Sequence, residues 1–123
     1  MHESELIQSI LDGNQQDFKL LIKKYETNVF RAAIGFLHNK QDAEEITQDV
    51  FVKVYQSLSS FKGKAAFSTW LYRITVNSSL NFLRKKKKIT AAIIAANPMI
   101  TKSRLSDFSA VKYFSMSDFV NIF

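Results

Sequence analysis

Residues 61–88, FKGKAAFSTWLYRITVNSSLNFLRKKKK, put aromatic rings and cations side by side in one short segment. Stacking on unpaired bases and attraction to phosphates are the two interactions a nucleic-acid surface needs, and these side chains supply both. Lys62 and Lys64 flank Gly63 in a basic loop that Phe61 and Phe67 bracket. Trp70, Arg73, Asn77 and Arg84, with Asn81 nearby, recur at helical spacing. Arg and Asn can hydrogen-bond phosphates or base edges. Trp70 fits a buried core position as well as a stacking one. The run from Arg84 through Lys85, Lys86, Lys87 and Lys88 is expected to be exposed, because that much charge cannot be buried unpaired. By itself it signals affinity for polyanions or a solubilising helix end.

A second set of residues faces different chemistry. Glu45, Gln48 and Asp49 stand three and four residues apart and so share one helical face, with Glu44 beside it. Glu44 and Glu45 lie near a helix start, where the dipole favours acids; Asp49 lies mid-helix and has no such reason to be there. The patch is either a solvated face or a surface for a basic partner. Residues 1–60 hold six Lys/Arg against nine Asp/Glu, and residues 61–123 hold eleven against two. Such a chain can offer opposite surfaces to two partners, or can simply be a dipolar domain.

Enzymatic chemistry finds little support. His2 and His38 are isolated, cysteine is absent, and there is no glycine-rich phosphate loop. No catalytic residue, metal site or cofactor is expected. The absence of cysteine also fits a reducing cytoplasm. The N-terminus carries acids where a signal peptide needs cations, and no apolar run reaches the length of a membrane helix. A soluble protein without membrane insertion is expected.

The elements that must position these groups are helical. One proline and three glycines in 123 residues leave few breakers, which favours long helices over a many-turned β fold. A short helix is predicted over residues 4–12, capped by Ser4, with Leu6, Ile7, Ile10 and Leu11 as its stripe and Gly13 as its terminator. A second helix starts at Asn14 and buries Phe18, Leu21, Ile22, Tyr25, Val29, Ala33 and Phe36. His38, Asn39 and Lys40 form the break after it. A third helix is expected to begin at Asp42, with Asp42 and Glu45 as a capping box and Ala43, Ile46, Val50, Phe51, Val54 and Leu58 inward. Ser68 is the expected cap of a fourth helix, whose inward side is Leu71, Ile74, Ser78 and Phe82. Residues 89–96 extend it, and Pro98 ends it.

Taken together, DAEEITQDVFVKVY and FSTWLYRITVN, in this order and spacing, resemble region 2 of bacterial sigma factors of the extracytoplasmic-function (ECF) group. The preceding DFKLLIKKYETNVFRAAIGFL resembles that domain's opening helix. The resemblance implies an all-α fold, a compact bundle of three to four helices. It divides the chain into a short N-terminal helix (1–14), the region 2 domain (15–88) and a poorly defined tail (89–123). It implies two partners, core RNA polymerase and promoter DNA. Glu45, Gln48 and Asp49, with Asp42 at the head of the same helix, would dock on the clamp helices of the largest catalytic subunit. Lys62, Lys64, Phe67 and Ser68 would line the site that captures the non-template strand of the −10 element. Trp70 and Arg73 would support the junction where duplex becomes single strand, and Asn77 and Arg84, followed by Lys85 and Lys86, would track the backbone. An anti-sigma factor is a further possible partner.

Two features depart from the pattern. Leu71 follows Trp70, where housekeeping sigma factors carry paired tryptophans. Residues 89–123 are too few for the second helical domain that reads the −35 element and show no helix-turn-helix pattern. A region-2-only product is therefore expected, arising by truncation, frameshift or design. Two alternatives stay open: a decoy that occupies the polymerase clamp without starting transcription, and a generic basic helical DNA binder.

Overall fold

Among the described residues, the other three α-helices all pack on α2 (Gln15–Leu37). The computed structural model describes residues 2–96, which form α1 (Glu3–Leu11), α2, α3 (Lys40–Ser57), a 3-10 turn (Leu58–Ser60) and α4 (Phe67–Ala96). The all-α bundle expected from the sequence is therefore the fold. The expectations for Pro98 and for the remainder of the tail fall outside the described residues. Among the described residues, no helix is long and apolar enough to cross a membrane.

The stripe on α2 explains its central place. Phe18, Leu21, Ile22, Tyr25, Val29 and Ala33 are buried as their spacing requires. The last buried position is Leu37, with Phe36 only partly covered. A step of four from Ala33 repeats the step from Val29 and stays on the stripe, whereas a step of three moves to its edge.

α1 joins the same core through Leu6, Ile7 and Ile10. It begins at Glu3, one residue before Ser4, which supplies no cap. The reason lies on α2: Lys24 Nζ donates to the Glu3 carboxylate at 2.8 Å, and the Tyr25 hydroxyl donates to the same oxygen. The helix ends as expected at Gly13, whose φ of 105° is open to glycine. The Gly13 N–H donates to the Ile10 carbonyl at 3.0 Å and the Asn14 N–H to Ser9 at 3.1 Å, the paired bonds of a Schellman motif.

Burial pushes the Glu3 carboxyl up, but the hydrogen bonds from Lys24 and Tyr25 and the Lys24 charge together outweigh it and hold its pKa below the usual 4.5. A lowered carboxylate pKa stabilises the fold above the unfolded value, and the contribution disappears as pH falls through the folded one. Glu3→Gln is expected to cost about 1 kcal/mol at pH 7, the scale of a partly exposed hydrogen-bonded ion pair. Urea unfolding of both proteins across acidic pH checks this: the gap should close as Glu3 protonates, and a gap independent of pH refutes the assignment.

α3 starts earlier than its sequence suggests. Asn39, not Asp42, is the cap: its Oδ1 accepts from the Asp42 N–H at 2.9 Å. His38 precedes it in the left-handed region, φ 52°, so the break is two residues long and Lys40 is already helical. Asp42 cannot cap because its side chain is buried and turned toward α4. Ala43, Ile46, Val50, Phe51 and Val54 form the inward face as expected, and Leu58 is buried in the turn that follows.

α4 departs furthest from expectation. It begins at Phe67, with the Thr69 and Trp70 N–H groups both donating to the Ala66 carbonyl. Ser68 is therefore an exposed first-turn residue rather than the cap, because burial of Phe67 draws the chain into the helix two residues sooner. Its buried positions are Phe67, Leu71, Thr75, Ser78 and Ser79, with Ile74 and Phe82 at the edges. Three of these side chains are small and polar. Thr75 Oγ1 donates back to the Leu71 carbonyl at 2.9 Å, and Ser78 Oγ accepts from Lys53 Nζ at 2.9 Å. Small side chains let the α4 backbone approach its neighbours closely, so α4 is seated by fit more than by apolar bulk.

Candidate nucleic-acid interface

The loop before α4 rests on a cluster of four rings. Phe67 lies 5.3 Å from Tyr25 and 5.6 Å from both Phe61 and Trp70, and Phe61 lies 5.3 Å from Trp70, between ring centroids. These separations are in the favourable range for aromatic pairs. Phe67 is only 2% exposed, so it is the floor beneath the loop and does not line a capture site. That corrects the role expected of it. Trp70 packs on Phe61 and Phe67 and keeps some of its surface open. The Tyr25 hydroxyl is pushed up to about 12 by burial, with the Glu3 hydrogen bond and charge adding to it. It therefore stays a neutral donor to Glu3, and one contact chain runs from α1 through Tyr25 to the floor of the loop.

Above this floor Lys62, Gly63 and Lys64 are exposed, and Gly63 turns the loop with a φ of 72°. Ser68 is exposed beside them. Arg73, Asn77, Asn81 and Arg84 are all exposed along α4, at the spacing of a single stripe, and Arg84 donates to Asn81 Oδ1 at 3.1 Å. Lys85, Lys87 and Lys88 extend the positive surface. Lys86 does not extend it in the same way. Its Nζ turns back to Asp42 Oδ2 at 2.7 Å. Both expectations for this pair change together: Asp42, 1% exposed, is no surface docking residue, and Lys86, its side chain still 40% exposed, is paired with that buried carboxylate.

Glu45 and Asp49 are exposed on α3, with Gln48 half-buried between them. Asp49 is crowded by its surroundings although its side chain reaches solvent. Burial raises its pKa above the usual 3.8, and the charges of Lys53 and Lys85 pull the other way without cancelling the rise. Since Lys85 is on α4, the acidic face and the basic run meet along the α3–α4 seam. A strand carrying phosphates and a partner carrying cations could each find a complementary surface on adjoining helices.

The family model described as Sigma-70 region 2 matches residues 21–89, more than half of the chain. The chain belongs to the sigma-70 region 2 family. Among curated proteins it is similar to the RNA polymerase sigma-H factor of Pseudomonas aeruginosa, 36% identical over 81 residues, which are 66% of this chain and 42% of that protein. The ECF RNA polymerase sigma-E factor of Haemophilus influenzae is 35% identical, with the same coverage, and that of Escherichia coli is 37% identical over 78 residues, 63% of this chain and 40% of that protein. The chain thus spans about two fifths of the length of these curated relatives, and they identify its region 2 domain as one of the ECF type. Among solved structures it resembles an engineered region 2 of sigmaE, determined by NMR in complex with GTAAAA. The TM-score is 0.64 and the identity 33%, over 72% of this chain and 96% of that one.

Two residues of the region 2 site went unremarked in the sequence. Tyr25 reads as one more apolar position on α2, yet it is the side chain that joins α1 to the aromatic floor. Its hydroxyl, a polar handle on a buried stripe, was the available signal. Lys53 bonds Ser78 across the seam and bears on Asp49, and its spacing of four from Asp49 was the signal there.

Proposed function

We propose that residues 15–88 work as region 2 of an ECF sigma factor. In this reading Glu45, Gln48 and Asp49 dock on the clamp helices of the largest catalytic subunit of core RNA polymerase. The loop with Lys62, Lys64 and Ser68, together with Trp70, Arg73, Asn77 and Arg84, recognises the −10 element and holds its non-template strand. The observation that carries the reading is the exposed Arg73–Asn77–Asn81–Arg84 stripe beside the Lys62/Lys64 loop. It occurs in a fold shared with a sigmaE region 2 whose solved structure holds GTAAAA.

The proposed activity is binding without catalysis. Taking a base out of the stack costs a few kcal/mol, which its capture by protein must offset. Exposed cations attract the backbone, and the side chains near the loop discriminate among bases. The factor would act in the cytoplasm, where polymerase is, and an anti-sigma factor that covered either face would silence it.

Fluorescence anisotropy with single-stranded GTAAAA and a scrambled oligonucleotide tests the DNA half. Preference for GTAAAA is expected, and Trp70→Ala should weaken it roughly tenfold, as loss of a stacking ring does. Lys64→Ala should weaken binding as well. Equal affinity for both sequences rejects sequence recognition and leaves a generic polyanion binder.

A further inference from the structure

We propose that Asp42 and Lys86 form an internal strut that aims the basic end of α4. Lys86 is then not one of the phosphate-binding cations, and Asp42 is a positioning residue for those that are. Asp42 is the third residue of α3 and is 1% exposed. Its Oδ2 accepts from Lys86 Nζ at 2.7 Å across 44 residues of sequence, while its Oδ1 has no hydrogen-bond partner among the described residues. A carboxylate removed from water needs a counter-charge, and the positive end of α3 supplies only part of one. Lys86 supplies the rest.

The register of α4 explains why this lysine and not its neighbours reaches Asp42, although its side chain stays 40% exposed. Ser79, Phe82 and Lys86 follow one another at spacings of three and four, so Lys86 continues the inward stripe past the apolar core. Lys85, Lys87 and Lys88 are displaced around the helix and exposed. Because Asp42 lies in the first turn of α3, the pair sits at the edge of the bundle, where α4 starts to run beyond it. A buried carboxylate gripping the helix there fixes its rotation, and rotation decides which way the remaining cations point.

The slope of log affinity against log salt counts phosphates neutralised, about 0.9 per contact on duplex DNA. On a duplex of arbitrary sequence, Lys87→Gln is expected to flatten the slope by about 0.9, and Lys86→Gln to leave it unchanged. Equal flattening by both overturns the assignment. Where Lys86→Gln alone unfolds the chain, the neutral pair Asp42→Asn/Lys86→Gln carries the measurement with the same expectation. The positioning role is read by amide hydrogen exchange. Asp42→Asn and Lys86→Gln should each speed exchange over residues 82–90 roughly tenfold or more while α2 stays protected, and Lys86→Arg should preserve the protection. Unchanged exchange in both variants overturns the strut. The slope measurement rests on the function proposed above: a chain that binds no DNA would refute that function, and exchange would still decide the role of Asp42.

Discussion

Phe67→Ala is expected to cost about 3–5 kcal/mol of folding stability, the range for deleting a fully buried phenylalanine. The ring is 2% exposed and touches three others, from α2, the loop and α4 itself, so no single neighbour can move in to fill its space. Against a typical total of about 5–15 kcal/mol, such a loss leaves the chain marginal. Urea denaturation measures it directly, and a change below about 0.5 kcal/mol would mean that the cluster is not packed as described. The consequence for binding differs from that of a surface change. Lys64→Ala should weaken DNA binding with stability intact, whereas Phe67→Ala should weaken binding because the loop loses its floor. Phe67→Leu, which restores much of the volume, should recover most of the stability.

The second large effect belongs to α3. Replacing Glu45, Gln48 and Asp49 together with alanine is expected to lower affinity for core polymerase at least about a hundredfold, on the scale of losing charge pairs desolvated by an interface. A pull-down and a titration with core enzyme measure it, and unchanged binding would remove this face from the proposal. The same change carries an opposite signature in the free chain. Ionised Asp49 is disfavoured in the fold, since burial raises its pKa despite Lys53 and Lys85. A raised carboxylate pKa means that stability falls as pH rises from the unfolded pKa through the folded one. Asp49→Asn should therefore melt slightly higher than wild type near neutral pH, and the difference should vanish in acid. A residue that weakens the free fold yet is needed for a partner is what a binding surface requires.

Much of this was legible in the sequence because helical periodicity reports local geometry. The stripes of α1, α2 and α3, with Leu11 and Phe36 as exceptions, and the exposed row on α4 follow directly from spacing. The failures share a cause: they depend on what lies across the fold. Asp42 looked like a cap because DAEE satisfies a local rule, but Asn39 satisfies it better once Asp42 is drawn toward a lysine 44 residues away. Ser68 looked like a cap until the burial of Phe67 moved the helix start. Thr75 and Ser79 are absent from the inward side expected for α4, and are buried there because small side chains fit a close helix crossing. Spacing could not separate Lys86 from its four cationic neighbours, since a run of identical charge hides its own register.

The length of α4 has a mechanical meaning. Thirty residues in one helix make a rod about 45 Å long, at about 1.5 Å per residue. Its near half is clamped by Leu71, Thr75, Ser78 and Ser79, while Ile89 and the residues after it stand largely in the open. Such a rod is a lever with its fulcrum in the core. A tilt of about 5° at the clamp would swing a point fifteen residues away by about 2 Å, two-thirds of a hydrogen-bond length. Exchanging Ser79 for a bulkier side chain would therefore be felt at the lysines six to nine residues on, and with larger amplitude at the residues after Ile89.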